Sequence, residues 1–247
     1  MSSSPDTDQE ALTAAVEQAM QCHQSGRLDE AQRLYEQVLT QAPSHPDALH
    51  LLGVLMAQRR DFERAHALIW QAIAANPDEA MYHNNLANVC VERSLLQEAE
   101  ALYVRAIELD GGRLDALSNL GLLLAKPARP ADAEKLLRRA VELAPTNTQW
   151  RQNLANLYLS LGRESNAIQQ CYDGLVTAPR SKPLRALLVM AYTTVGLKDK
   201  AAEVLQAWLK SDPEDPFPRH HLPACTGEQV PERAADDLLA RNAIDAL

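Results

Sequence analysis

Long apolar runs are missing from this chain: nowhere in its 247 residues do about 18 apolar residues follow one another, which excludes a membrane-crossing helix. The start, Met1 to Asp8, has neither a basic leader nor an apolar stretch, so it reads as neither signal peptide nor anchor. Aromatic residues make up only 4%, and β-branched runs long enough for strands are absent, so no sheet is expected. Basic excess is missing too. With 24 Lys and Arg against 33 Asp and Glu, the net charge is −9, and no Lys/Arg stripe interleaved with aromatics occurs; a nucleic-acid surface is excluded, while a basic partner is permitted. No G-x-S-x-G, Walker loop, H-E-x-x-H or paired C-x-x-C is present, so no enzyme activity and no cofactor are expected. His220, His221 and Cys225 lack a second Cys or His pair at ligand spacing, and no metal site is expected of them.

What the chain does have is an interval. Alanines stand at 31, 65, 99, 133, 167 and 201, each 34 residues after the last. Twelve residues beyond them come Pro43, Pro77, Gly111, Pro145, Pro179 and Pro213, all helix breakers. Twelve residues before them come Ala19, Gly53, Ala87, Gly121 and Ala155, with Val189 in the sixth place. Gly26, Arg60, Gly162 and Gly196 interrupt the units five residues ahead of the alanine. Each unit is therefore two antiparallel amphipathic helices, with small residues where backbones approach closely and large apolar residues in the layer between.

A 34-residue helical period with these residues resembles the tetratricopeptide repeat family over residues 12 to 215. The resemblance implies an all-α right-handed superhelical solenoid of six repeats, 12–45, 46–79, 80–113, 114–147, 148–181 and 182–215. Residues 1–11 are expected to be disordered or to begin the first helix, and 216–247 to form a linker and a C-terminal capping helix. It also implies a protein-interaction scaffold that takes a protein or peptide partner, extended or helical, in a concave groove lined by the first helices.

The period places side chains. Cys22 and Cys90 share a first-helix position with Tyr158 and Tyr192, and Cys171 shares a second-helix position with Tyr35 and Tyr103. Buried free thiols are expected, in keeping with a reducing cytoplasm. In the family the fifth, sixth and ninth places of a repeat face the groove. The sixth places read Glu17, Leu51, Asn85, Asn119, Asn153 and Leu187. An asparagine amide both accepts and donates, so a row of them can pair with peptide backbone. This run resembles the asparagine ladder of the superhelical arm of O-linked N-acetylglucosamine transferases, on Asn85, Asn119 and Asn153 only. Asn88 and Asn156, one turn on, together with Asn84, Ser118 and Gln152, extend the polar lining, and Met20, Leu122 and Met190 add apolar contact. Asparagine at these places is also common in tetratricopeptide repeats generally, so the ladder and the family consensus stand side by side. The lysines of a carboxylate clamp are absent from the fifth places, which hold Val16, His50, Asn84, Ser118, Gln152 and Ala186.

After Pro213 the pattern changes. Prolines break the start of the tail, Gly227 makes a turn, and Pro231 suits the first position of a last helix with Ala235, Leu238 and Leu239 on one face. Val189 and Trp208 stand where earlier repeats have small residues, which implies a different neighbour there. The run from His221 through Gly227 and Pro231 to Asp236 resembles the connector of bacterial tetratricopeptide–methyltransferase fusions. By these two resemblances, of the ladder and of the connector, the chain is alternatively expected to be the substrate-recruiting arm of a glycosyltransferase or S-adenosylmethionine-dependent methyltransferase whose catalytic domain is missing from this chain.

Overall fold

The computed structural model describes residues 5–125 and 129–227, and these form thirteen α-helices with no strand among them. The chain divides into two compact units, residues 1–129 and 130–247. The first holds α1 (Pro5–Gln24), α2 (Leu28–Gln41), α3 (Pro46–Gln58), α4 (Phe62–Ala75), α5 (Ala80–Glu92), α6 (Leu96–Leu109) and α7 (Leu114–Ala125). The second holds α8 (Pro130–Leu143), α9 (Thr148–Ser160), α10 (Glu164–Thr177), α11 (Lys182–Thr194), α12 (Lys198–Ser211) and α13 (Pro216–Thr226). The sequence interval is preserved to the residue: α3, α5, α7, α9, α11 and α13 begin at 46, 80, 114, 148, 182 and 216.

One turn ends each first helix. The N–H groups of Arg27, Asp61, Leu95 and Arg129 donate to the carbonyls of Cys22, Met56, Cys90 and Leu124, and those of Arg163 and Leu197 to Tyr158 and Tyr192, at 2.8–3.2 Å. This is the six-to-one bond of a Schellman ending, which needs a left-handed residue just before the donor. Gly26, Gly162 and Gly196 supply it at φ 77°, 65° and 80°, but Arg60 and Ser94 are held there at 63° and 60°. A side chain in this region costs roughly 1–2 kcal/mol, partly offset because glycine loses more freedom on folding. Ser94→Gly is therefore expected to stabilise the first unit by about 0.5–1 kcal/mol in urea unfolding. Arg60→Gly should gain less, because the Arg60 guanidinium lies 5.6 Å over the Phe62 ring and would be lost.

Within a unit the alanines do what their spacing requires. Ala31, Ala65, Ala99, Ala133, Ala167 and Ala201 are all fully buried. At Gly53 a Cβ would sit 2.5 Å from Ile69 Cγ1 and 3.2 Å from the Ala65 carbonyl, so α3 and α4 touch backbone to side chain there. The prolines that stop the second helices have their carbonyls satisfied from the next first helix. His83 Nε2 bonds Pro77 O at 2.8 Å, and Nε of Arg151 and Arg185 donate to Pro145 O and Pro179 O at 3.1 and 3.0 Å.

The tail departs from the expectation of a linker: residues 216–226 are helical. Pro216 and Pro218 sit in the first turn, where N–H groups have no intrahelical partner and a proline sacrifices nothing. Asp215 caps α13 by accepting from Phe217 N at 3.0 Å, and Lys182 Nζ holds Asp215 and Asp212 at 2.6 and 2.8 Å. Gly227, left-handed at φ 78°, ends the helix. Starting 34 residues after α11, α13 stands as the first helix of a further unit, packed on α12. The last helix expected after Pro231 lies outside the described residues.

Candidate functional site

In the first unit the asparagines do not stand alone; they join successive first helices. Asn85 Nδ2 reaches His50 Nε2 at 2.8 Å, linking α5 to α3. Asn84 Nδ2 donates to Asn85 Oδ1 at 3.2 Å and to Asp115 Oδ2 at 3.1 Å, linking α5 to α7. One turn further on, Asn88 Oδ1 accepts from Tyr103 Oη at 2.6 Å and from Asn119 Nδ2 at 3.0 Å. Burial pushes the Tyr103 phenol up, which keeps it protonated as the donor.

Burial sorts these side chains. Asn84 and Ser118, in the fifth place, are interior, at 2% and 0% exposure, and the Asn84 amide turns toward Asp115 of the next first helix. His50, in the same place, is 2% exposed and stacked on Tyr82 at 4.6 Å; burial pulls its imidazole down to about 4 although Asp47 and Glu79 oppose it. Asn85 and Asn119 are half-buried and Asn88 is exposed. Asn88 and Asn119 line one shallow surface with Leu122, while Asn85 and Asn88 line another beside Val54 and Gln58.

The first unit has a further groove of about 670 Å³ lined by Val16, Glu17, Met20, His50 and Leu51, and the second unit has one of about 570 Å³. Its floor is Leu187, Val189, Met190 and Phe217, and Gln152 and Asn156 stand at its polar border. Asn153 is buried at 9% exposure and accepts from Gln149 Nε2 at 3.1 Å. Of the expected lining, Asn156 is exposed and Gln152 half-buried. Phe217 and His221 escaped the sequence reading because they belong to α13; the signal available was the interval itself, since 34 residues after Lys182 is Pro216. Tyr103 and Asp115 were missed because they approach the asparagines from neighbouring helices, a matter of stagger between repeats.

Cys22, Cys90, Cys171 and Cys225 are all buried and free, as the period requires of the first three. Burial pushes the Cys171 thiol up to about 12, the behaviour of an inert core residue. No helix among the described residues is long and apolar enough to cross a membrane. Of the connector-like run from His221 to Asp236, His221 to Gly227 completes and ends α13, and the remainder lies outside the described residues.

Helix pairs at a fixed interval, ended alike and joined through polar side chains on one face, define a helical-repeat protein of the kind that serves as an interaction scaffold. Tetratricopeptide repeat models match residues 23–89 and 118–183, more than half the chain between them, and the chain belongs to that family. Among solved structures, Pseudomonas aeruginosa PilF is similar at 19% identity and TM-score 0.72, covering 90% of this chain and 99% of its own. PilW, a type IV pilus biogenesis factor, is similar at 18% identity and TM-score 0.76, covering 86% and 98%. YrrB, a repeat protein with an unusual peptide-binding site, shares 21% identity at TM-score 0.59, covering 75% and 96%. At these identities the likeness is one of fold.

Proposed function

We propose that this protein is a scaffold that holds a peptide segment of a partner protein on the faces of its first helices. The observation that carries the reading is the hydrogen bond from Asn119 Nδ2 to Asn88 Oδ1, with Tyr103 as second donor to the same oxygen. It orients both amides. Asn88 is left with its N–H groups to donate and Asn119 with its carbonyl oxygen to accept, the complement of one peptide unit of an extended chain. Asn85 adds to this in the first unit. Asn156 and Gln152 serve the same purpose in the second, with buried Asn153 behind them, and Met190 and Phe217 offer apolar contact to a ligand side chain. Asn84, held by Asp115 and Asn85, positions Asn85 and does not meet the ligand. Backbone reading makes binding weakly dependent on partner sequence and on salt. Cytoplasmic residence, suited to four free thiols, is part of the same proposal.

Affinity capture with mass spectrometry, comparing wild type with Asn88→Ala/Asn119→Ala, tests it. Two lost hydrogen bonds at about 0.5–1.5 kcal/mol each weaken binding roughly tenfold or more, so the partner should disappear from the captured set. Unchanged recovery of the same partner by a variant with wild-type helicity would overturn the reading.

A further inference from the structure

We propose that His66, Cys90 and Glu98 bind one divalent cation of borderline softness, Zn²⁺ in the first place. The three residues come from α4, α5 and α6, and their ligand atoms lie within 4.8 Å of one another. His66 Nε2 is 3.0 Å from Glu98 Oε1. One imidazole nitrogen, one sulfur and one carboxylate oxygen are the donor types zinc takes, and three protein ligands leave a fourth position for water or a partner's side chain. As thiolate and carboxylate, Cys90 and Glu98 together balance the charge of the ion.

The register of the repeats shows that this cluster replaces something. In the place of His66 two repeats later stands Glu134, held by Arg163 at 2.5 Å; in the repeat between, Glu100 is held by Arg129 at 2.6 Å. The position of those arginines is Leu95 in the repeat that follows His66, so the guanidinium at this junction comes from Arg93 and meets Glu63, not the residue in the place of Glu100 and Glu134. In that place His66 meets Glu98 of the next repeat, with the Cys90 sulfur beside them. The register equivalents elsewhere, Gln32, Met56 and Arg64 in the first unit and Glu134, Tyr158 and Asn166 in the second, do not offer such a set.

Access agrees with a site that is filled from solvent. Cys90 is fully buried, while His66 and Glu98 are 23% and 40% exposed, so the ion would enter past the imidazole and carboxylate and meet the sulfur last. Binding would form an S–metal bond and release the thiol proton to solvent. The Arg93 guanidinium nearby is paired with Glu63, its Nε 3.7 Å from Oε1.

Co²⁺ titrated into the full chain under reducing conditions tests the site, because a thiolate ligand gives a charge-transfer absorption that histidine and carboxylate do not. Wild type should bind about one Co²⁺ with that absorption and lose it to competing Zn²⁺. Cys90→Ser should abolish the absorption, His66→Gln and Glu98→Gln should each weaken binding about tenfold or more, and Cys171→Ser should leave it intact. Should Cys90→Ser not fold, the half-exposed His66→Gln variant still decides, through loss of the Zn²⁺-dependent rise in Tm seen in wild type. No charge-transfer band in wild type, or one that survives in His66→Gln and Glu98→Gln at unchanged affinity, or one lost only on replacing His220, His221 or Cys225, would overturn the proposal.

Discussion

Trp208→Ala is expected to destabilise the second unit by about 3–5 kcal/mol, the usual cost of removing a buried tryptophan. Its ring is 2% exposed and stacks on Phe217 at a centroid distance of 5.1 Å and an angle of 23°. Phe217 in turn stacks on His221 at 4.1 Å, so one side chain of α12 anchors the start and the middle of α13. The rest of the attachment is the cap at Asp215. Burial would push that carboxyl up, yet the Lys182 ammonium and the Phe217 N–H outweigh it and hold it below its ordinary value. The Lys182 and Phe217 N–H contacts of the cap remain in the variant while the Trp208 contribution to Asp215 goes, so α13 should loosen and cleavage by protease within 216–226 should rise along with the fall in urea midpoint. Trp70→Ala supplies the comparison: that ring is 53% exposed, and its removal should cost well under 1 kcal/mol. Equal effects of the two substitutions would show that Trp208 does not hold α13.

The same pair of helices marks where sequence reasoning succeeded and where it stopped. The interval was legible because it is imposed by backbone: a left-handed turn after each first helix, an alanine where two helices meet, a breaker after the second helix. Trp208 and Val189 were legible as departures, and the Trp208 ring meets Phe217 of α13. The neighbour was not, because Pro216, Pro218 and Pro223 suggest a broken chain to a rule that ignores position; in a first turn two of them cost no hydrogen bond at all. The asparagines were legible as a set but not in their roles. Whether Asn84 faces a ligand or Asp115 depends on how far α7 is staggered past α5, and no spacing within one helix encodes that. Similarly, His66, Cys90 and Glu98 lie in three helices, and only their packing brings the three together.

His50 should make the first unit sensitive to acid. Its pKa falls from 6.5 in an exposed chain to about 4 in the folded protein, because burial penalises the imidazolium more than the Asp47 and Glu79 carboxylates favour it. Above pH 6.5 both states are neutral and nothing is lost. Between 6.5 and 4 the unfolded chain takes up a proton that the folded chain refuses, so stability falls with pH; below 4 both bind it and the loss is complete. A depression of that size amounts to about 3 kcal/mol. The consequence reaches the asparagines, since a protonated Nε2 can no longer accept from Asn85 Nδ2, and the chain from His50 through Asn85 and Asn84 to Asp115 is cut at its first bond. His50→Asn carries to this position the residue found in the same place of the next repeat, Asn84, and removes the titrating group. Urea unfolding of wild type should therefore lose about 3 kcal/mol more than His50→Asn between pH 7 and pH 4. Coincident pH profiles for the two proteins would mean that the imidazole is not held neutral by burial, and with it the acid sensitivity of this face would have to come from other groups.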